Sequence, residues 1–327
     1  MAAAELIELW RGGLREGVHR GHAVIADRGG VVEAWGDPLA VIFPRSSCKM
    51  IQALPLVESG AADAAGLGSE QLALACGSHN GGRIHTDRVA AWLAGMGMGE
   101  PDLLCGSHMP RDPGEFRRLT CGDDRPCQLH NNSSGKHAGF LTLNRRLGGA
   151  PDYIALDHPV QHAVRDATGE LCGGVRGWGI DGCSAPNFAV TLDGLAAAMA
   201  AFAAPPQGVR GEAMGRLVAA MTAHPELVAG EGRACTAIMR ATGGRVAVKT
   251  GAEAVFVAIL PERGLGVALK VEDGGTRASE AAIVALLVHL GALDAADPVV
   301  ETYLTGPQRS WRGIETGGLR TAPGFPA

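Results

Sequence analysis

Of the 29 basic residues in this 327-residue chain, only four are lysines, at positions 49, 136, 249 and 270. Arginine stays protonated under all working conditions, whereas a desolvated lysine can release its proton and act as a base. Two of the four follow a serine by three residues, in Ser46-Ser47-Cys48-Lys49 and Ser133-Ser134-Gly135-Lys136. On a helix, residues i and i+3 share a face, so the Lys49 amine can reach the Ser46 hydroxyl. A neutral Lys49 that takes this proton makes Ser46 a nucleophile near neutral pH. At a helix N-terminus Ser46 also lies among backbone N–H groups able to stabilise an oxyanion. The bland reading of such a pair is an N-cap serine followed by a solvated lysine.

Two further triplets bear on that choice. Ser78-His79-Asn80 follows Cys76-Gly77, a break after a helical stretch, and Lys249-Thr250-Gly251 closes a predicted strand. An early S-x-x-K, a later S-x-N and a K-T-G on a strand near the end reproduce the element order of serine β-lactamases and penicillin-recognising enzymes. The 32 residues from Ser46 to Ser78 are few for a penicillin-binding protein.

The elements that must hold these groups follow from periodicity and punctuation. Val18–Asp27, a Gly29–Gly30 turn and Val31–Trp35 read as a strand pair. Pro44 and Ser46 open a helix that runs to about Glu58, with Pro55 set to kink or end it. Gln71–Cys76, His85–Gly95, Gly135–Leu147, His158–Thr168, Leu192–Ala203 and Glu212–Thr222 read as helices. Arg245–Lys249, Glu253–Leu260 and Leu265–Val271 read as a strand and a hairpin, covered by a helix from Ser279 to Leu290. The expected class is α+β, with an antiparallel sheet built from both terminal segments and a largely helical middle, about 46–225, inserted between them. The whole of 1–327 is expected to form a single domain.

Composition narrows the function classes. With 46% hydrophobic and 19% charged residues, the chain can bury a large core. A net charge of −5 and 4% aromatic residues argue against a nucleic-acid partner. The longest apolar runs, Leu195–Pro206 and Ala281–Val288, are too short to cross a bilayer. Met1–Trp10 has Glu5 and Glu8 and no basic residue before Trp10, unlike a signal peptide. A cytoplasmic protein with eight reduced cysteines is expected. Cys121, Cys127 and His130 match no standard zinc spacing.

The longer blocks resemble one family, the Rhizobium etli-type (class 3) L-asparaginases. They are Phe43–Lys49, Gly77–Asn80, Leu129–Gly139 (LHNNSSGKHAG), Gly179–Asn187 (GIDGCSAPN) and Lys249–Glu253. The resemblance implies a serine β-lactamase/glutaminase-like fold, a homodimer, and hydrolysis of L-asparagine to L-aspartate and ammonia. It implies two Ser-Lys tandems: Ser46 with Lys49, Ser46 forming the acyl-enzyme, and Ser78 with Lys249, relaying a proton to the ammonia.

The resemblance also implies a zinc ion on two cysteines and a lysine. Lys136 and Cys183 match two of those positions, and the third falls on Ser133, whose neutral hydroxyl is a poor zinc ligand. The chemistry therefore requires no cofactor, and zinc is expected to bind weakly or not at all. Asp181 suits a substrate α-ammonium, Arg45 an α-carboxylate, and His137 a hydrogen bond or proton transfer to substrate, with Asn80 placed near the site by Ser78. Their bland readings are an Asx-turn, a surface cation and a satisfied core histidine. The competing functions are a glutaminase or other small-amide hydrolase, and a non-catalytic small-molecule or metal-binding protein.

Overall fold

In chain order the strands are β1 Ala4–Arg11, β2 Leu14–Asp27, β3 Gly30–Trp35, β4 Val41–Ile42, β5 Gly177–Ile180, β6 Pro186–Thr191, β7 Ala247–Gly251, β8 Val255–Leu260, β9 Leu265–Val271, β10 Pro307–Arg309 and β11 Glu315–Thr321. The structure is a computed structural model describing residues 2–326; Met1 and Ala327, included in the single-domain reading and, for Met1, in the N-terminal segment, lie outside the described residues. The chain forms two compact units. The first comprises Met1–Ser47, Thr191–Ala204 and Ala237–Ala327, and the second Cys48–Val190 and Pro205–Thr236.

The first unit is built on one antiparallel sheet in the order β10-β11-β1-β2-β9-β8-β7, with β3 also paired to β2. The class is α+β, and the sheet draws its strands from both ends of the chain, as expected. β8 (VFVAIL) is buried at every position, so both its faces are covered. The helices Leu192–Ala203 and Thr276–His289 both pack on β8 and β9. Gly266 lets the first of them lie close, because a Cβ there would stand 2.1 Å from Ala200 N.

In the second unit the helix Lys49–Glu58 is buried from Lys49 through Val57, which marks a helix surrounded by others. Its neighbours are Ser134–Leu147, Pro159–Leu171 and Val209–Ala223. β5 and β6 pair as a hairpin in this unit.

Several local expectations need correction. The early strand pair is a three-strand run, because Ala4–Arg11 pairs with β2 as well as β11. Pro55 does not end its helix, which continues to Glu58; only the Ile51 carbonyl loses its donor. The helix also starts later than expected. Arg45–Cys48 is a 3-10 turn, so Ser46 precedes the first α-helical residue by three positions. The helix Pro113–Cys121 was not foreseen, although Asp112 and Pro113 supply its N-cap and first position.

Candidate active site

Ser46 lies half-buried on the Arg45–Cys48 turn. The turn is pinned by Ser47, whose backbone N–H and hydroxyl both donate to Pro44 O, at 3.1 and 2.7 Å. Arg45 has φ 53°, a left-handed conformation that costs a non-glycine residue about 1 kcal/mol or more. Strain directly before Ser46 is a common feature of sites where a side chain must be presented at a fixed angle.

The end of β7 meets this turn within the first unit. A Cβ on Gly251 would stand 2.6 Å from Pro44 O and 3.0 Å from Ser47 N, so only glycine lets the strand approach. The Lys249-Thr250-Gly251 triplet is thereby set against the backbone that carries Ser46. Lys249 is fully buried, and its amine donates to Thr250 O at 2.8 Å.

Within the second unit, two loops and two helix starts bring a further set of these residues together. Lys49, 1% exposed, donates from Nζ to Gly77 O and, at 2.9 Å, to Ser133 Oγ. The Ser133 hydroxyl donates in turn to Asn132 Oδ1 at 2.9 Å, and its N–H to Asn131 Oδ1 at 2.8 Å. Asn131 is anchored through Nδ2 on Cys105 O and Gly106 O. Ser78 is buried, its N–H on Val228 O at 2.7 Å.

His79 stitches the two serine-bearing loops together. Its N–H donates to Asn132 O, and its Nδ1 accepts from the Gly81 N–H at 3.1 Å. Nε2 therefore carries the proton and donates to Ser134 Oγ at 3.0 Å, while that hydroxyl donates to Leu129 O. Burial, then the nearby His85, holds the His79 imidazole well below its ordinary range. Asn80 is tied to Glu231 O through Nδ2 and to Arg233 through Oδ1.

His137 is oriented by Tyr153. The Tyr153 hydroxyl accepts from Leu104 N at 2.8 Å, and His137 Nδ1 at 2.9 Å is the acceptor within reach of its own proton, so the hydroxyl donates to it. The imidazole proton is then on Nε2, a buried donor with no hydrogen-bond partner among the described residues. A buried donor of this kind is costly unless a ligand or water takes it.

Asp181 opens the turn between β5 and β6, where its Oδ1 accepts from Gly182 N at 2.7 Å and Ser184 adopts φ 70°. The turn presents Cys183 to Lys136, with Nζ to Sγ at 3.0 Å. Burial alone would raise the thiol and lower the amine. The pair overrides it: Lys136 draws the Cys183 value down, and Cys183 with Asp181 pushes the Lys136 value up.

Zinc does not fit this donor set. Ser133 Oγ is a neutral hydroxyl already engaged by Lys49 and Asn132, and Cys183 supplies a single thiolate. Among the described residues no three His, Cys, Asp or Glu side chains are grouped to hold a metal.

Sequence reasoning placed Ser133 three residues before Lys136 and at a failing zinc-ligand position, and overlooked its bond to Lys49. It also passed over Tyr153, one of only two tyrosines in the chain, whose rarity was the available signal.

A family model described as L-asparaginase II matches residues 7–321. No curated protein matches the chain. Among solved structures, a β-lactamase from Mycobacterium bovis is similar at 15% identity and a TM-score of 0.45, over 84% of this chain and 95% of that one. Mglu in its native form is similar at 16% identity and a TM-score of 0.44, over 92% of this chain and 71% of that one. Among the described residues no helix is long and apolar enough to cross a membrane.

Proposed function

The chain belongs to the L-asparaginase II family and is an amidohydrolase; from that premise we propose that it hydrolyses L-asparagine to L-aspartate and ammonia through an acyl-enzyme on Ser46, as in the class 3 enzymes. The observation that carries the mechanism is Lys49, a buried lysine whose amine rests on two neutral oxygens, Gly77 O and Ser133 Oγ. Neither acceptor carries a charge that would lock the amine as an ammonium, so Lys49 can cycle between the two forms.

In this reading Lys49 takes the Ser46 proton as Oγ attacks the side-chain amide carbon, and ammonia leaves with a proton relayed through Ser78 and Lys249. Water then releases aspartate. His137 Nε2–H suits a substrate oxygen, Asp181 its α-ammonium and Arg45 its α-carboxylate. The single catalytic domain, homodimer and cytoplasmic setting belong to the same proposal, and the family match through both units supports the first of these.

Ammonia release from L-asparagine and L-glutamine tests the proposal, with wild type, Ser46→Ala and Lys49→Met compared. Asparagine turnover lost in both variants, with their circular dichroism unchanged, is the expected result. Faster turnover of glutamine would assign the substrate to the longer amide, a difference of one methylene worth about 1–3 kcal/mol. Activity of Lys49→Met within tenfold of wild type would remove Lys49 as the base.

A further inference from the structure

A second group of reactive side chains lies elsewhere in the helical unit. His130 bridges Cys127 and Glu115, with Nδ1 at 3.3 Å from Cys127 Sγ and Nε2 at 3.2 Å from Glu115 Oε1. Glu115 is buried yet stays ionised. Its hydrogen bonds from Arg118, and then from His130, hold its carboxyl below the usual range against the opposing effect of burial. A carboxylate only accepts, so His130 carries its proton on Nε2 and turns its Nδ1 lone pair toward Cys127. The Cys127 N–H donates to the same Nδ1 at 3.0 Å, which fixes the ring on that side and must yield when Nδ1 takes the thiol proton. Cys127 is half-buried, whereas His130 and Glu115 are buried behind it.

We propose that Cys127, His130 and Glu115 form a nucleophilic thiol site, separate from the serine chemistry, that takes low-molecular-weight disulfides and becomes S-thiolated. The order of nucleophile, base and orienting carboxylate is that of activated thiols in general. The Cys127 proton passes to His130 Nδ1, and the Glu115 carboxylate stabilises the imidazolium. The thiolate bonds to one sulfur of the disulfide, whose S–S bond breaks. The electron pair leaves on the other sulfur, which takes the proton back from His130. Cys127 is oxidised and the departing thiol is reduced, so the exchange balances.

Exposure alone ranks the cysteines differently. Cys121 is exposed, Cys127 is intermediate and the other six are buried, so accessibility predicts that Cys121 reacts first. The test is incubation of the full chain with limiting glutathione disulfide, followed by site-resolved peptide mass spectrometry. Cys127 is expected to be modified at least about fivefold faster than Cys121, and His130→Gln to bring the two rates within about twofold. Thiolation of Cys105 or Cys172 would show that a variant has opened. Glu115→Gln, which keeps the shape and removes the charge, then replaces it, with a smaller slowing expected at Cys127 alone. Wild-type Cys121 reacting as fast as Cys127 would overturn the proposal, as would a Cys127 rate unchanged in both variants.

Discussion

Lys49 Nζ and Ser133 Oγ, 84 residues apart in sequence, lie 2.9 Å apart in the helical unit. The hydroxyl accepts from the amine and donates to Asn132 Oδ1, an arrangement that orients Lys49.

Ser133→Ala removes one acceptor of the Lys49 amine. The expected effect is about a fivefold fall in kcat, the loss of one hydrogen bond of about 1 kcal/mol, with KM within about twofold. Ser133→Thr keeps the hydroxyl and is expected to restore most of the rate. Steady-state kinetics of the three proteins check this, and an alanine variant as fast as wild type would show that Ser133 does not orient Lys49.

Ser133→Cys puts a thiol at the position where the family resemblance implies the third zinc ligand, alongside Lys136 and Cys183. Zinc affinity is expected to rise above that of wild type, because a thiolate ligates where a hydroxyl does not. Zinc content after exposure and desalting measures it. Equal content in the two proteins would mean that position 133 does not face the same site as Cys183.

Gly251→Ala drives a methyl group toward Pro44 O, where the gap is 2.6 Å. Separating β7 from the turn is expected to cost about 1–3 kcal/mol of stability, and turnover to fall further than stability alone explains. Denaturant titration and kcat are read together. If neither changes, the turn carrying Ser46 does not depend on this approach.

His79 is buried neutral, its pKa held down by burial and by His85. A free imidazole in the unfolded chain titrates near 6.5, so below that pH the unfolded state binds the extra proton. The stability contributed by neutral His79 is therefore complete above about pH 6.5 and is lost as pH falls toward the lower folded value. Denaturation at pH 8, 6.5 and 5.5 should show a decline of up to about 1.4 kcal/mol per pH unit below 6.5. The slope should be shallower in His79→Gln. An identical slope in that variant would move the acid sensitivity to another group.

What the sequence reveals here depends on how local the cause is. The turn between β2 and β3 is announced by adjacent glycines, and Leu192–Ala203 by the apolar run from Leu195, after Thr191 as N-cap and before Pro205. β1 pairs with β11 some three hundred residues away, and β11 (ETGGLRT) contains two glycines that weaken any strand signal. Pro113–Cys121 buries only Glu115 and Leu119, too few positions to show a helical period. The site divides the same way. Ser46, Lys49 and the Lys249 triplet are visible as residue types at fixed spacing. The bonds of Lys49 to Ser133, His137 to Tyr153 and Cys127 to Glu115 through His130 depend on how separate segments come together, and no window of sequence contains most of them.

The interleaving of the two units also sets an order of synthesis. β1 and β2 leave the ribosome more than two hundred residues before β9 and β11, the strands that flank them. The helical unit has a continuous stretch, Cys48–Val190, that is complete long before then. The nascent chain thus carries an incomplete sheet with exposed strand edges while its middle is already able to collapse. A ribosome that pauses late in the message leaves those edges waiting, and aggregation at that stage would begin at the N-terminal strands.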